Sequence, residues 1–280
     1  MTPTLVRHRP RTASPTPAEA CARARDWAEI QERMLVPLYE AVYSRLEVGS
    51  RTRLLGLGCG SGLALLIAAS RGASVTGVDT DRERLALAKE RMTPSDASTP
   101  RAGAPDVGLV DGEVRDAAGA AGSPYNMITA FQPIGCAAGD TEGLGPALEE
   151  AVELGERGSA VVLTGWGPPE RCATAGVLRV AERMRGSGWR PARRDDLEDV
   201  ASKAGLKPDG SGRVACPFGY AGLDSAVRGL LSTGLYSAAV RATDLAQVRK
   251  EMAEALHPYV RGDGTVWMPN VFRYLITRTP

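Results

Sequence analysis

Nine residues, Leu54-Leu55-Gly56-Leu57-Gly58-Cys59-Gly60-Ser61-Gly62, carry the strongest chemical signal in the chain. A short apolar run enters a cluster of glycines, and a helix-forming stretch, Leu63–Ser70, leaves it. A strand, a glycine turn and a helix in that order bring backbone N–H groups close to a bound ligand. Glycine permits both the close approach and a positive φ. The dinucleotide fingerprint G-x-G-x-x-G fails here in both frames, because its third glycine would fall on Ser61 or on Leu63. What fits is G-x-G-x-G at Gly58, Gly60 and Gly62. Metal chemistry is not expected: the five cysteines are scattered, with no C-x-x-C and no Cys/His cluster. Of the two histidines, His8 lies in an Arg/Pro/Thr-rich start and His257 in Ala255-Leu256-His257-Pro258-Tyr259.

The elements around the turn read as β-turn-α-β-α. Ser74–Val78 alternates small and β-branched residues and ends at Asp79. Thr80-Asp81-Arg82-Glu83 reads as a capping box opening a helix to about Met92. Val107–Val110 predicts a strand ending at Asp111, after a loop over 93–105 and before an Ala/Gly loop over 115–124. Tyr125–Phe131 and Ser159–Thr164 read as buried strands, with a helix over Leu144–Leu154 between them and another over Asp195–Ala204. Val214–Tyr220 and Val271–Thr277 read as later strands, with a mostly helical stretch, Leu223–Ala255, before the last. Upstream, Thr16-Pro17-Ala18-Glu19 is a capping box, and Trp27, Ile30, Met34 and Leu38 continue at helical spacing to about Leu46, with a break at Pro37. Strands alternating with helices imply a parallel sheet covered on both faces. The division expected is a disordered tail over 1–15 and one domain over 16–280, with helical additions at 16–48 and 222–265.

Composition narrows the function classes. The 280 residues are 43% hydrophobic and 24% charged, so the chain is globular. A net charge of +1 argues against a dedicated nucleic-acid or membrane-surface binder. The longest apolar run, around Leu63–Ala69, is too short to span a bilayer, and scattered thiols with no secretory signal fit a cytoplasmic protein.

Leu54–Gly62, with Asp79 placed 17 residues after Gly62, resembles class I S-adenosylmethionine-dependent methyltransferases. Trp27-Ala28-Glu29-Ile30-Gln31, Gly165–Cys172 and Asn270–Leu275 look like a small-molecule subgroup common in actinobacteria. The resemblance implies a Rossmann-like α/β sheet with helices on both faces, a helical lid from the N-terminus and a cap inserted before the last strand. It implies S-adenosylmethionine as cofactor and transfer of its methyl group to O, N or C of a small, natural-product acceptor. Gly58, Cys59, Gly60 and Gly62 would pass the methionine and ribose portions. Asp79, followed by Thr80, would accept from the ribose hydroxyls. Asp111 would accept from the adenine amino group and the Gly112 N–H would donate to the ring, while Phe131 and Gln132 would face the transfer centre. Trp27, Gln31, Tyr39 and Trp166 are the candidate acceptor contacts, and His257 is the candidate base.

One position departs from the family: Gly56 stands where Asp or Glu is usual. Weaker cofactor binding, a substitute group and altered chemistry all remain open. Two competing functions therefore stand beside methyl transfer. One is a cyclisation or rearrangement at a methyltransferase-like site, and the other is a non-catalytic cofactor-binding regulator.

Overall fold

The computed structural model describes residues 16–93, 106–120, 122–135, 141–185 and 196–280. The expected tail with His8, most of the loop over 93–105, Cys136 and Asp195 lie outside the described residues.

Seven strands form one sheet in the order β3-β2-β1-β4-β5-β9-β6. In chain order these are β1 (Arg53–Leu57), β2 (Ser74–Asp79), β3 (Val107–Asp111), β4 (Tyr125–Ile134), β5 (Gly155–Trp166), β6 (Lys207–Ala215) and β9 (Val271–Arg278). The neighbours from β3 to β5 are parallel, and β9 runs antiparallel to both β5 and β6. A separate two-stranded ribbon pairs β7 (Phe218–Tyr220) with β8 (Val266–Met268). Strand order reverses between β1 and β4. A crevice opens there beyond the carboxyl ends of the strands, the place where sheets of this kind bind ligands.

Helices cover both faces. On one, α5 (Leu144–Leu154) and α7 (Asp196–Lys203) bury Leu148 and Leu197 against Leu55, Ile128 and Leu163. On the other, Leu54, Met127 and Phe272 belong to a larger core. That core includes residues of α2 (Val36–Arg45), α3 (Leu63–Ser70), α6 (Ala173–Arg185), α8 (Leu223–Ser232), α9 (Ser237–Ala242) and α10 (Leu245–Leu256). The remaining helices are α1 (Pro17–Asp26) and α4 (Arg82–Met92).

Three local expectations are corrected. The N-terminal helix breaks before Pro37, not at it: α1 ends at Asp26, a π turn spans Trp27–Gln31, a 3-10 turn spans Glu32–Leu35, and α2 restarts at Val36. Proline lacks the N–H that would bond one turn back, so it is comfortable in the first turn of a new helix. The cap of α4 is Asp81, whose side chain accepts from the Arg84 N–H at 3.2 Å, rather than Thr80. The strand read over Val214–Tyr220 is two: β6 begins at Lys207, and Cys216-Pro217 separate it from β7. Pro208 is tolerated because β6 is the sheet edge.

Candidate functional site

The glycine turn sits at the mouth of the crevice and is laced to the end of β2. The Cys59 N–H donates to the Val78 carbonyl at 3.0 Å. Asp79 Oδ2 accepts from the Gly60 N–H at 2.7 Å and Oδ1 from the Asp81 N–H at 2.8 Å. An ionised carboxylate offers about four lone-pair sites, so each Asp79 oxygen retains one for a pair of ligand hydroxyls. Gly58, Cys59 and Gly60 of the turn line a crevice completed by Phe131 and Gln132 from β4 and by Trp27, Glu32 and Tyr39 from the N-terminal segment.

Glu32 is the feature that sequence reading missed. Its residue exposure is 2%, and it lies directly on the turn. The carboxylate accepts from the Ser61 hydroxyl, from the Leu63 N–H at 3.4 Å and from Arg91 Nη1 at 2.8 Å. Arg91 also donates to the carbonyls of Ser61 at 2.9 Å and Ala28 at 3.3 Å, which closes a bridge between α4, the turn and the N-terminal segment. The π turn explains the placement. The Glu32 N–H bonds to the Trp27 carbonyl five residues back, so Trp27 and Glu32 face the turn together. Regular helical spacing would have put them on different faces.

Gly60 has φ +59°, and a Cβ there would stand 3.0 Å from Trp27 Nε1 and 3.3 Å from Glu32 Oε1. The bare α-carbon is thus required by the chain's own N-terminal segment as well as by any ligand. Gly56 has a packing reason. It pairs in register with Gly77, and Leu65 of α3 lies over both: a Cβ on Gly56 would be 2.9 Å from Leu65 Cδ2. A side chain at 56 would have to displace the buried Leu65, and the carboxylate at the turn comes from Glu32.

Trp27 Nε1 is a buried donor without a partner among the described residues. Arg84 stacks on its ring, with the guanidinium carbon 4.3 Å from the centroid. The enclosed part of the crevice is about 30 Å3, room for roughly one water. Trp27, Glu32 and Tyr39 of the N-terminal segment rest against this space, which is smaller than a nucleoside.

The other expected residues divide. Phe131 is buried, with the Tyr39 ring tilted against it at 4.8 Å and Tyr43 edge-on at 5.6 Å. Burial, reinforced by the Glu32 charge, pushes the Tyr39 hydroxyl well above its ordinary range, and burial likewise raises the Cys59 thiol, helped by Asp79. Neither is a base at neutral pH. Gln31 is buried and accepts from the Tyr220 hydroxyl at 2.9 Å, so it fastens the segment to β7 rather than lining the crevice. Thr80 is exposed beside Asp79. Asp111 is ion-paired with Arg82 at 2.9 Å, and the Gly112 N–H donates to the Asp79 carbonyl at 3.3 Å. Trp166 packs in an aromatic cluster, 4.7 Å from Phe272. His257 is exposed in a 3-10 turn after α10, and neither it nor Trp166 lines a described cleft. The described residues contain no cluster of three metal-ligating side chains.

Residues 55–119, which hold the turn, Asp79 and Asp111, match the model of the methyltransferase domain family. That segment is similar to a methyltransferase domain. Solved structures share the fold of this chain. A Bacillus halodurans protein assigned as a methyltransferase is 13% identical with a TM-score of 0.53, the match covering 86% of this chain and 98% of that one. The YjhP protein of E. coli is 18% identical with a TM-score of 0.50, over 91% and 98% of the two chains. A Thiobacillus denitrificans methyltransferase solved with S-adenosyl-L-homocysteine is 17% identical with a TM-score of 0.50, over 95% and 100%. No curated protein matches the sequence.

Proposed function

We propose that this chain is an S-adenosylmethionine-dependent methyltransferase that acts on a small-molecule acceptor, of the natural-product kind, at O, N or C, in the cytoplasm and without nucleic acid or membrane as partner. The observation that carries the proposal is the turn Gly58–Gly62 bonded to Asp79 at the crevice of a methyltransferase sheet. The side chains fit an adenosyl sulfonium in their chemistry. Asp79 keeps two acceptor sites for ribose hydroxyls, Trp27 holds an unspent donor at the wall, and the carboxylates of Glu32 and Asp79 suit a cation. A bound S-adenosylmethionine supplies an electrophilic methyl group. A net charge of +1, and the lack among the described residues of any helix long and apolar enough to cross a membrane, support the choice of partner.

This chain's own part is orientation and exclusion of water. Phe131 and Tyr39 form an aromatic wall, backed by the buried Tyr43, and the N-terminal segment closes over the turn. Water exclusion strengthens the electrostatic contacts inside, and alignment of reactants lowers the barrier without a strong base. Tyr39 and Cys59, both held protonated, are not the groups that take a proton from the acceptor.

The test is calorimetric binding of S-adenosylhomocysteine, followed by mass-spectrometric detection of that product with candidate acceptors. Asp79→Asn should weaken binding by about tenfold or more, since it disturbs both the turn and the ribose contact. Stabilisation of the parent by NAD but not by S-adenosylhomocysteine would overturn the proposal.

A further inference from the structure

Beside the glycine crevice lies a larger cleft of about 800 Å3, walled by α1, α8, α9 and the start of α10. These elements come from the two helical additions, 16–48 and 222–265, which the sequence places over the crevice. The wall between the two spaces is thin. Trp27 lines the crevice while its chain neighbour Asp26 lines the cleft. Arg84 lines the crevice and donates at 2.8 Å to the carbonyl of Ser232, which lines the cleft.

The cleft's charges do not balance. Four arginines line it, Arg23, Arg228, Arg241 and Arg249, against Glu19 and Asp26. Asp26 is taken by Arg228 in an ion pair, and the Glu19 carboxylate is held by Thr16 in the cap of α1. Arg23, Arg241 and Arg249 make no ion pair among the described residues. Between these guanidinium groups the lining is apolar: Leu231, Val240 and Leu245. Leu245 is 48% exposed, which is unusual for a leucine in this molecule. Guanidinium is the side chain best matched to a carboxylate or phosphate, and a cleft of about 300–1,000 Å3 is the usual size for a small-molecule site.

We propose that this cleft is the acceptor chamber of the methyltransferase, and that it admits an amphipathic anion, a carboxylate or phosphate attached to an apolar body. The assignment as acceptor chamber rests on the methyltransferase reading, whereas the ligand chemistry rests on the cleft alone. Arg241 and Arg249, on α9 and α10, are the residues that would select for negative charge.

The experiment uses the full chain and decanoate as probe, with decanol as its uncharged counterpart, each titrated calorimetrically with and without S-adenosylhomocysteine. Decanoate should bind with one-to-one stoichiometry, about tenfold more tightly than decanol. The variant R241Q/R249Q, altered at two exposed positions, should lose about tenfold in decanoate affinity and keep its S-adenosylhomocysteine affinity. Decanoate and S-adenosylhomocysteine should bind together. Equal binding of both probes, no decanoate binding below about 5 mM, or insensitivity to the double variant would overturn the ligand class. Competition between decanoate and S-adenosylhomocysteine would overturn a chamber separate from the crevice. Phosphatidylglycerol vesicles are the remaining arm: co-sedimentation that R241Q/R249Q abolishes would make this a lipid-facing surface and overturn the proposal. Failure of the parent to bind S-adenosylhomocysteine would instead overturn the methyltransferase reading, leaving the cleft to be judged on the two probes.

Discussion

Replacing Glu32 with glutamine isolates the charge on the glycine turn from its shape. The carboxylate accepts from Ser61, Leu63 and Arg91, with side-chain exposures of 3% for Glu32 and 24% for Arg91. Removing one partner of a buried pair costs about 3–5 kcal/mol when the other charge is stranded. Arg91 is not fully stranded, since it reaches solvent and keeps the carbonyls of Ser61 and Ala28. The glutamine also retains one acceptor oxygen. A loss of about 2–3 kcal/mol is therefore expected, which lowers Tm by about 4–12 °C in a domain of this size. The turn loses a charge-assisted acceptor, worth about 1.5 kcal/mol, so affinity for S-adenosylhomocysteine should fall roughly tenfold. Differential scanning calorimetry and isothermal titration read the two effects, and a cycle with Arg91→Gln should show a coupling of about 1–2 kcal/mol. A Tm change under about 1 °C together with unchanged affinity would show that Glu32 does not hold the turn.

Four further outcomes follow from the same geometry. Gly56→Asp should destabilise by more than about 2 kcal/mol, because Leu65 occupies the space and the new carboxylate has no partner. Leu65→Ala should recover part of that loss, and tighter cofactor binding at undiminished Tm would contradict the packing account. Binding of S-adenosylhomocysteine should change tryptophan emission, and Trp27→Phe should remove most of the change, since Trp27 covers the crevice. A signal that survives Trp27→Phe would mean the segment stays in place. Cys59 should resist iodoacetamide at pH 8 in the folded chain, because burial raises its thiol and leaves little thiolate, and peptide mapping that finds it alkylated would contradict that burial. His257→Ala should leave turnover and Tm unchanged within error, given its exposed place outside the described clefts. A large drop in turnover would mean that it reaches the acceptor.

Local patterns made much of the sheet legible. Leu63–Ser70 and Leu144–Leu154 match α3 and α5 to the residue, because glycine flanks each run: α3 lies between Gly62 and Gly72, and α5 follows Gly143 and passes into β5 at Gly155. Asp79 was legible because it ends a β-branched strand at a fixed distance from the turn. β6 was only partly legible, since Pro208, Gly210 and Gly212 argue against a strand; Gly212 is there because the Tyr274 ring lies where its Cβ would be. Glu32 was hidden by assuming a regular helix, in which Trp27 and Gln31 share a face and Glu32 does not. Gln31 proved to be a fastener to Tyr220, and the carboxylate one residue later became the crevice residue. A tertiary clamp between residues 32 and 91 leaves no trace in local spacing.

The π turn at Trp27–Gln31 makes the site sensitive to the path of the backbone as well as to composition. A π turn holds one residue more than the α-helical path it replaces. Deleting one residue between Trp27 and Glu32 would leave the two four apart on a regular helix, still sharing a face. A regular helix of unchanged length would instead set Glu32 about 140° around the axis from Trp27, and the carboxylate would leave Ser61 and Arg91 although every clamp residue would still be encoded. An exposed residue such as Glu29 is then the surplus that the wide turn absorbs, and the clamp depends on the turn absorbing it.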